Sequence, residues 1–71
     1  MKVTVKPRFN ASKQHLERYS EGMYIVYLPF PEDKSAVNVI ASLLSRSMGL
    51  PPHRIEFVAV DNRKDWIFET V

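Results

Sequence analysis

Seventy-one residues suffice for one domain around one small core; a chain of this size buries only about 60% of its unfolded surface and draws roughly 3 to 5 kcal/mol from that core, which argues against a large internal substrate cavity. The absence of cysteine excludes disulfide staples, thiolate metal sites and a cysteine nucleophile, so packing or oligomerisation has to stabilise the chain. The net charge of +2 hides an asymmetry: residues 1–20 carry Lys2, Lys6, Arg8, Lys13 and Arg18 against Glu17 alone, a balance of +4, and the remainder sums to −2. That layout suits an anionic partner for the N-terminal part, or solubility alone.

Met1, Val3 and Val5 alternate with Lys2, Thr4 and Lys6, the period of two of a half-buried strand with one basic face. The run has no continuous apolar stretch, and no later segment approaches the roughly 18 apolar residues of a membrane span. The sequence therefore predicts a soluble, cytoplasmic protein without a membrane segment. Pro7 lacks an amide donor and ends the strand near Arg8 or marks a sheet edge. Residues Asn10 to Gly22 read as a short helix capped by Ser12 or as a hairpin arm over residues 15–19. The turn signal Ser20-Glu21-Gly22 favours the hairpin.

Met23 to Leu28 is apolar on both faces and rich in β-branched and aromatic residues, the signature of a central strand. Pro29 and Pro31 stop it. A helix is predicted over Asp33 to Met48, with Val37, Ile40, Ala41, Leu44 and Met48 as an apolar stripe widened by Ala36 and Leu43. Ser35, Asn38, Ser42, Ser45 and Arg46 line its polar side, Glu32 and Asp33 complement its positive end, and Gly49 and Pro51-Pro52 terminate it. Ile55 to Val60 and Asp65 to Val71 alternate as strands around the polar turn Asp61-Asn62-Arg63-Lys64, an antiparallel hairpin. The expected fold is α+β in a single domain, 1–71: two layers, a mixed or mostly antiparallel sheet of four to five strands, one main helix on one face, order β-β-β-α-β-β.

No motif for catalysis, metal or cofactor occurs. His15 and His53 are isolated and have no ligand at metal spacing. The helix serines lack a nucleophile-elbow context and a base. Glu32 and Asp33 read as helix-start acids rather than a catalytic pair. Asn38 is expected to brace the turn before the helix through its amide, or else, with Ser35 and Ser42, to contact a partner. Lys2, Lys6 and Arg8 on the first strand and Arg63 and Lys64 at the hairpin tip are candidate phosphate contacts, conditional on the fold bringing them together. Tyr19, Tyr24 and Tyr27 are stacking candidates or core residues.

The strand ending Lys6-Pro7-Arg8, the proline turn at Leu28 to Pro31, Asn38 in the helix, Gly49-Leu50-Pro51, the strand Ile55-Glu56-Phe57-Val58 and the turn with Arg63 together resemble the YggU-like family of small bacterial and archaeal proteins. The resemblance covers nearly the whole chain through short motifs. It departs from the family at Phe30-Pro31 and Ser35-Ala36-Val37-Asn38, where members typically show alanine-proline-proline and glycine-lysine-alanine-asparagine. At Asn62-Arg63-Lys64-Asp65 the family's second basic position is shifted or lost, and the further helix of many members does not follow before Val71. The resemblance implies a two-layer α/β fold and singles out Asn38 and Arg63, without implying a reaction.

Two functions of different class follow: a non-enzymatic nucleic-acid-associated module using the basic strand and hairpin tip, and a protein-interaction or homodimeric module. The second rests on counting faces. One helix covers one side of the sheet, assigned to Val3, Val5, Ile25, Phe57, Trp66 and Phe68, which leaves Tyr24, Val26, Leu28, Val58, Val60, Ile67 and Val71 on a back face expected to be an interface. No cofactor or metal is expected.

Overall fold

The computed structural model describes residues 1–71. Strands β1 (Lys2–Arg8), β2 (His15–Ser20) and β3 (Met23–Tyr27) precede the helix α1 (Ala36–Met48), and β4 (Ile55–Val60) and β5 (Trp66–Thr70) follow a single 3-10 turn at Pro52–Arg54. The α+β order β-β-β-α-β-β is the expected one. The five strands form one mixed sheet in the spatial order β2-β3-β1-β5-β4. β1 runs parallel to β3, and the β2/β3, β1/β5 and β4/β5 pairs are antiparallel.

Residues 15–20 therefore form the hairpin arm rather than a helix. Gly22 makes this turn possible: its φ is +71°, and a Cβ there would lie 3.1 Å from the Lys2 carbonyl oxygen. The loop between β1 and β2 is pinned to the end of β3, with the Ala11 N–H donating to Leu28 O at 2.9 Å and the Asn10 N–H to Phe30 O at 3.0 Å.

The pairings make β3 and β4 parallel to one another with β1 and β5 between them. The connection carrying α1 must cross those two central strands, so the helix is laid over their side chains. This accounts for the core: Val3, Val5, Trp66 and Phe68 of the central strands, Tyr24, Val26 and Leu28 from β3 and its continuation, and Ala36, Ile40 and Leu44 of α1, with Ile55. Burying each of the larger aliphatic and aromatic side chains contributes about 1.5 to 3 kcal/mol before conformational entropy is subtracted.

The expected facing of β3 is corrected here. Tyr24, Val26 and Leu28 are buried under the helix and belong to no outer interface, while Ile25 lies half-buried on the back of the sheet. Parallel pairing places Tyr24 beside Val5 and Val26 beside Pro7, and cross-strand neighbours share a face. An all-apolar strand carries no periodicity that fixes which parity turns inward. Val60 is corrected as well: a one-residue irregularity between Phe57 and Ala59 sets Val60 opposite Trp66, on the helix-side face, where it is exposed. Ile67, opposite Thr4, does lie on the back face and is half-buried.

The helix begins three residues later than expected. Asp33 forms the turn before it, accepting from the Ala36 N–H on its carbonyl at 3.0 Å and from the Ser35 N–H on its carboxylate at 3.2 Å. The first turn of α1 contains no acidic residue, so Glu32 and Asp33 do not sit inside its dipole-complementing positions. At the other end Gly49, φ 70°, closes the helix by donating to Ser45 O, as expected of a left-handed cap. No helix is long and apolar enough to cross a membrane.

Candidate nucleic-acid interface

The turn between β4 and β5 is built by Asp61. Its carboxylate accepts from the N–H groups of Arg63 and Asp65, each at 2.9 Å. Its carbonyl accepts from the Lys64 N–H, and its own N–H donates to Asp65 O, both at 2.9 Å. Lys64 takes the left-handed conformation, φ 66°, completing a three-residue loop of the kind that links antiparallel strands by a turn followed by a left-handed residue. Glycine normally occupies that position, because a side chain there crowds the backbone.

This turn sits beside the C-terminal end of β1. The β1/β5 register sets Val5 opposite Trp66, which brings Lys6 alongside Asp65, and the ammonium contacts both carboxylate oxygens at 3.2 and 3.1 Å. Asp65 is the one buried charged residue of the protein. Lys6 supplies its counter-charge, so burial leaves no uncompensated carboxylate.

Around this pair opens a cleft of about 510 Å³ lined by Lys6, Arg8, Arg63 and Lys64, by Glu32 and Asp65, and by Pro7, Phe9, Val60 and Trp66. Four of the five basic residues singled out from sequence thus meet, from segments more than fifty residues apart. The ion pairs of the protein are Lys6 with Asp65 and the terminal amine of Met1 with Glu69. Arg8, Arg63 and Lys64 are therefore unpaired, and Lys6 is not the free cation the sequence pattern implies. Counting Glu32 and Asp65, the lining carries a net charge of +2. In the aromatic wall the Phe9 and Trp66 rings lie 5.9 Å apart; Trp66 is buried and Phe9 half-buried.

Lys2 does not join the cleft. It lies at the opposite end of β1, opposite Glu69. The residues that sequence reasoning missed are Asp61, Asp65 and Phe9. The pattern Asp-x-x-x-Asp spanning a predicted hairpin turn is the signal that marks the first, since aspartate side chains habitually cap their own turns.

The helix candidates separate from this site. Asn38 and Ser42 line a second, shallower groove of about 400 Å³ with Gln14, Val39, Leu43 and Arg46, and Ser35 lies outside it. Asn38 is exposed and no hydrogen bond ties its amide to a loop, which overturns its expected bracing role. The helix bond that does form is made by Ser45, whose hydroxyl donates to Leu50 O. Of the two histidines, His15 stacks on Tyr27 with ring centroids 6.0 Å apart and His53 is exposed in the 3-10 turn. Tyr19 is exposed on β2, and Tyr24 belongs to the core. Comparison with protein-family models, with curated proteins and with solved structures returns no match.

Proposed function

We propose that this chain is a non-enzymatic module that binds the phosphate backbone of nucleic acid in the cleft between the end of β1 and the β4/β5 turn. The observation that carries this reading is the convergence of Arg8, Arg63 and Lys64, none of them ion-paired, on one concave surface. Unpaired guanidinium and ammonium groups along a groove recruit phosphates by releasing condensed counterions, and aromatic rings in the same groove suit unstacked bases. Phe9 is the ring with surface to offer. The same proposal takes the chain as a divergent YggU-like domain. Of the positions that resemblance singles out, Arg63 belongs to this cleft and Asn38 to the other groove.

The test is fluorescence anisotropy of labelled single-stranded and duplex oligonucleotides across a salt series. Three phosphate contacts give a slope of log affinity against log salt of about −2 for a single strand and about −3 for duplex. Arg8→Glu, Arg63→Glu and Lys64→Glu together abolish binding with the fold retained, whereas Lys2→Glu leaves it. No binding of either oligonucleotide by the wild-type protein at low salt rejects the proposal.

A further inference from the structure

Beyond the cleft, the two edges of the sheet are protected very differently. β2 presents His15, Glu17 and Arg18 along its length, the charged edge that discourages pairing with another chain. β4 reads Ile-Glu-Phe-Val-Ala-Val with a single charge, and every residue after Ile55 is exposed. Of the six exposed large apolar side chains, Phe57, Val58 and Val60 belong to β4, and a fourth, Val71, donates its N–H to Arg54 O at the strand's start.

β4 has a ladder partner on one side only, and its free side can be read from its ends. Arg54 O accepts from Val71 and the Asp61 N–H donates to Asp65 O, so the Arg54 carbonyl and the Asp61 N–H both point towards β5. Alternation from Arg54 turns the Ile55 carbonyl and the Phe57 N–H away from β5, and alternation from Asp61 turns the Val60 N–H and the Val58 carbonyl away. The irregularity between Phe57 and Ala59 is what brings these four groups to the same free side. The Ile55 N–H closes the 3-10 turn on Pro52 O, leaving its carbonyl to offer.

We infer that β4 pairs antiparallel with β4 of a second copy of this chain, Ile55 opposite the partner's Val60 and Phe57 opposite the partner's Val58. Two independent features select this occupant and this register. The outward-facing backbone groups of β4 match those of an antiparallel copy in this register, the Val60 N–H meeting the Ile55 carbonyl once on each side of the two-fold. The same register sets Arg54, whose Nε–H donates to Val71 O of its own chain, across from the partner's Asp61 at both ends and Glu56 across from the partner's Ala59, so opposite charges lie across from one another and like charges do not. The contact is one strand of six residues, well short of a standard interface, so the dimer is of the weak, concentration-dependent class. Its two-fold axis is normal to the sheet, which keeps both helices on one face.

The test combines sedimentation with amide hydrogen exchange of the nucleic-acid-free protein from micromolar to millimolar concentration. The expected result is a monomer–dimer equilibrium in which the amides of Phe57 and Val60 gain protection as concentration rises. Val58→Lys puts two ammonium groups beside the axis and weakens the dimer by about tenfold or more, while Val58→Thr, which keeps β propensity, retains it. Both variants keep the monomer's unfolding midpoint close to wild type, because Val58 is exposed. A strict monomer with concentration-independent exchange overturns the inference. So does a dimer that dissociates with Ile25→Lys on the back face but not with Val58→Lys.

Discussion

Lys6 and Asp65, fifty-nine residues apart in sequence, are joined by two contacts of 3.2 and 3.1 Å at the floor of the basic cleft. Asp65 thus sets the charge of the surface as well as its shape. Its side chain is 9% exposed against 31% for Lys6, so the carboxylate is the committed member and the ammonium can still reach water.

Asp65→Asn removes one negative charge and frees Lys6 towards the cleft. Oligonucleotide affinity rises and the salt slope steepens by about one contact's worth, about 0.7 for a single strand. Because Lys6 can turn to solvent, the loss of stability stays at about 1 to 2 kcal/mol in urea denaturation, below that of a fully buried pair. Unchanged affinity with an unchanged slope shows that Lys6 plays no part in binding.

Lys64→Gly separates stability from binding. Glycine accepts φ 66° without steric cost, so the variant is as stable as wild type or up to about 1 kcal/mol more so. The same change removes one cation from the cleft and makes the salt slope shallower. A variant that binds as wild type takes Lys64 out of the interface.

Gly22→Ala is destabilising by about 1 kcal/mol or more, since it combines a positive φ with a Cβ placed 3.1 Å from the Lys2 carbonyl oxygen. The β2/β3 turn and the N-terminal end of β1 are both strained. Thermal unfolding measures the effect, and a midpoint within error of wild type shows that the turn yields at no cost.

Two helix truncations contrast the buried and polar sides of α1. Leu44→Ala opens a cavity in the core and costs about 2 to 5 kcal/mol. Asn38→Ala stays within about 0.5 kcal/mol of wild type, because no bond is lost and alanine is the better helix former. An Asn38→Ala loss of more than about 1 kcal/mol restores the bracing role that the structure removes.

The alternations in β1 and β5, the apolar stripe of α1 and the Gly49 stop are legible from sequence because each belongs to an element with one buried face. Such an element writes its orientation into its own period. β3 is apolar on both sides, and its inward parity follows from the partner strand, through Val5 beside Tyr24. The slip of Val60 likewise needs the irregularity opposite β5, which no local pattern announces. For the site, the basic residues at both ends of the chain stand out by charge, but charge along a chain carries no distance.

The element order, the single core and the two basic clusters are legible in the chain alone, since these depend on periodicity, turn residues and composition within short windows. That β1 lies between β3 and β5 emerges only from the folded sheet. That placement brings Arg8 to Arg63 and Lys64, seats Lys6 on Asp65, leaves Lys2 at the far end, and exposes β4 as an apolar edge. Strand order is a property of hydrogen-bond pairing between distant segments, whose cost is loop-closure entropy and whose gain is a shared buried face. Neither quantity belongs to any one stretch of residues.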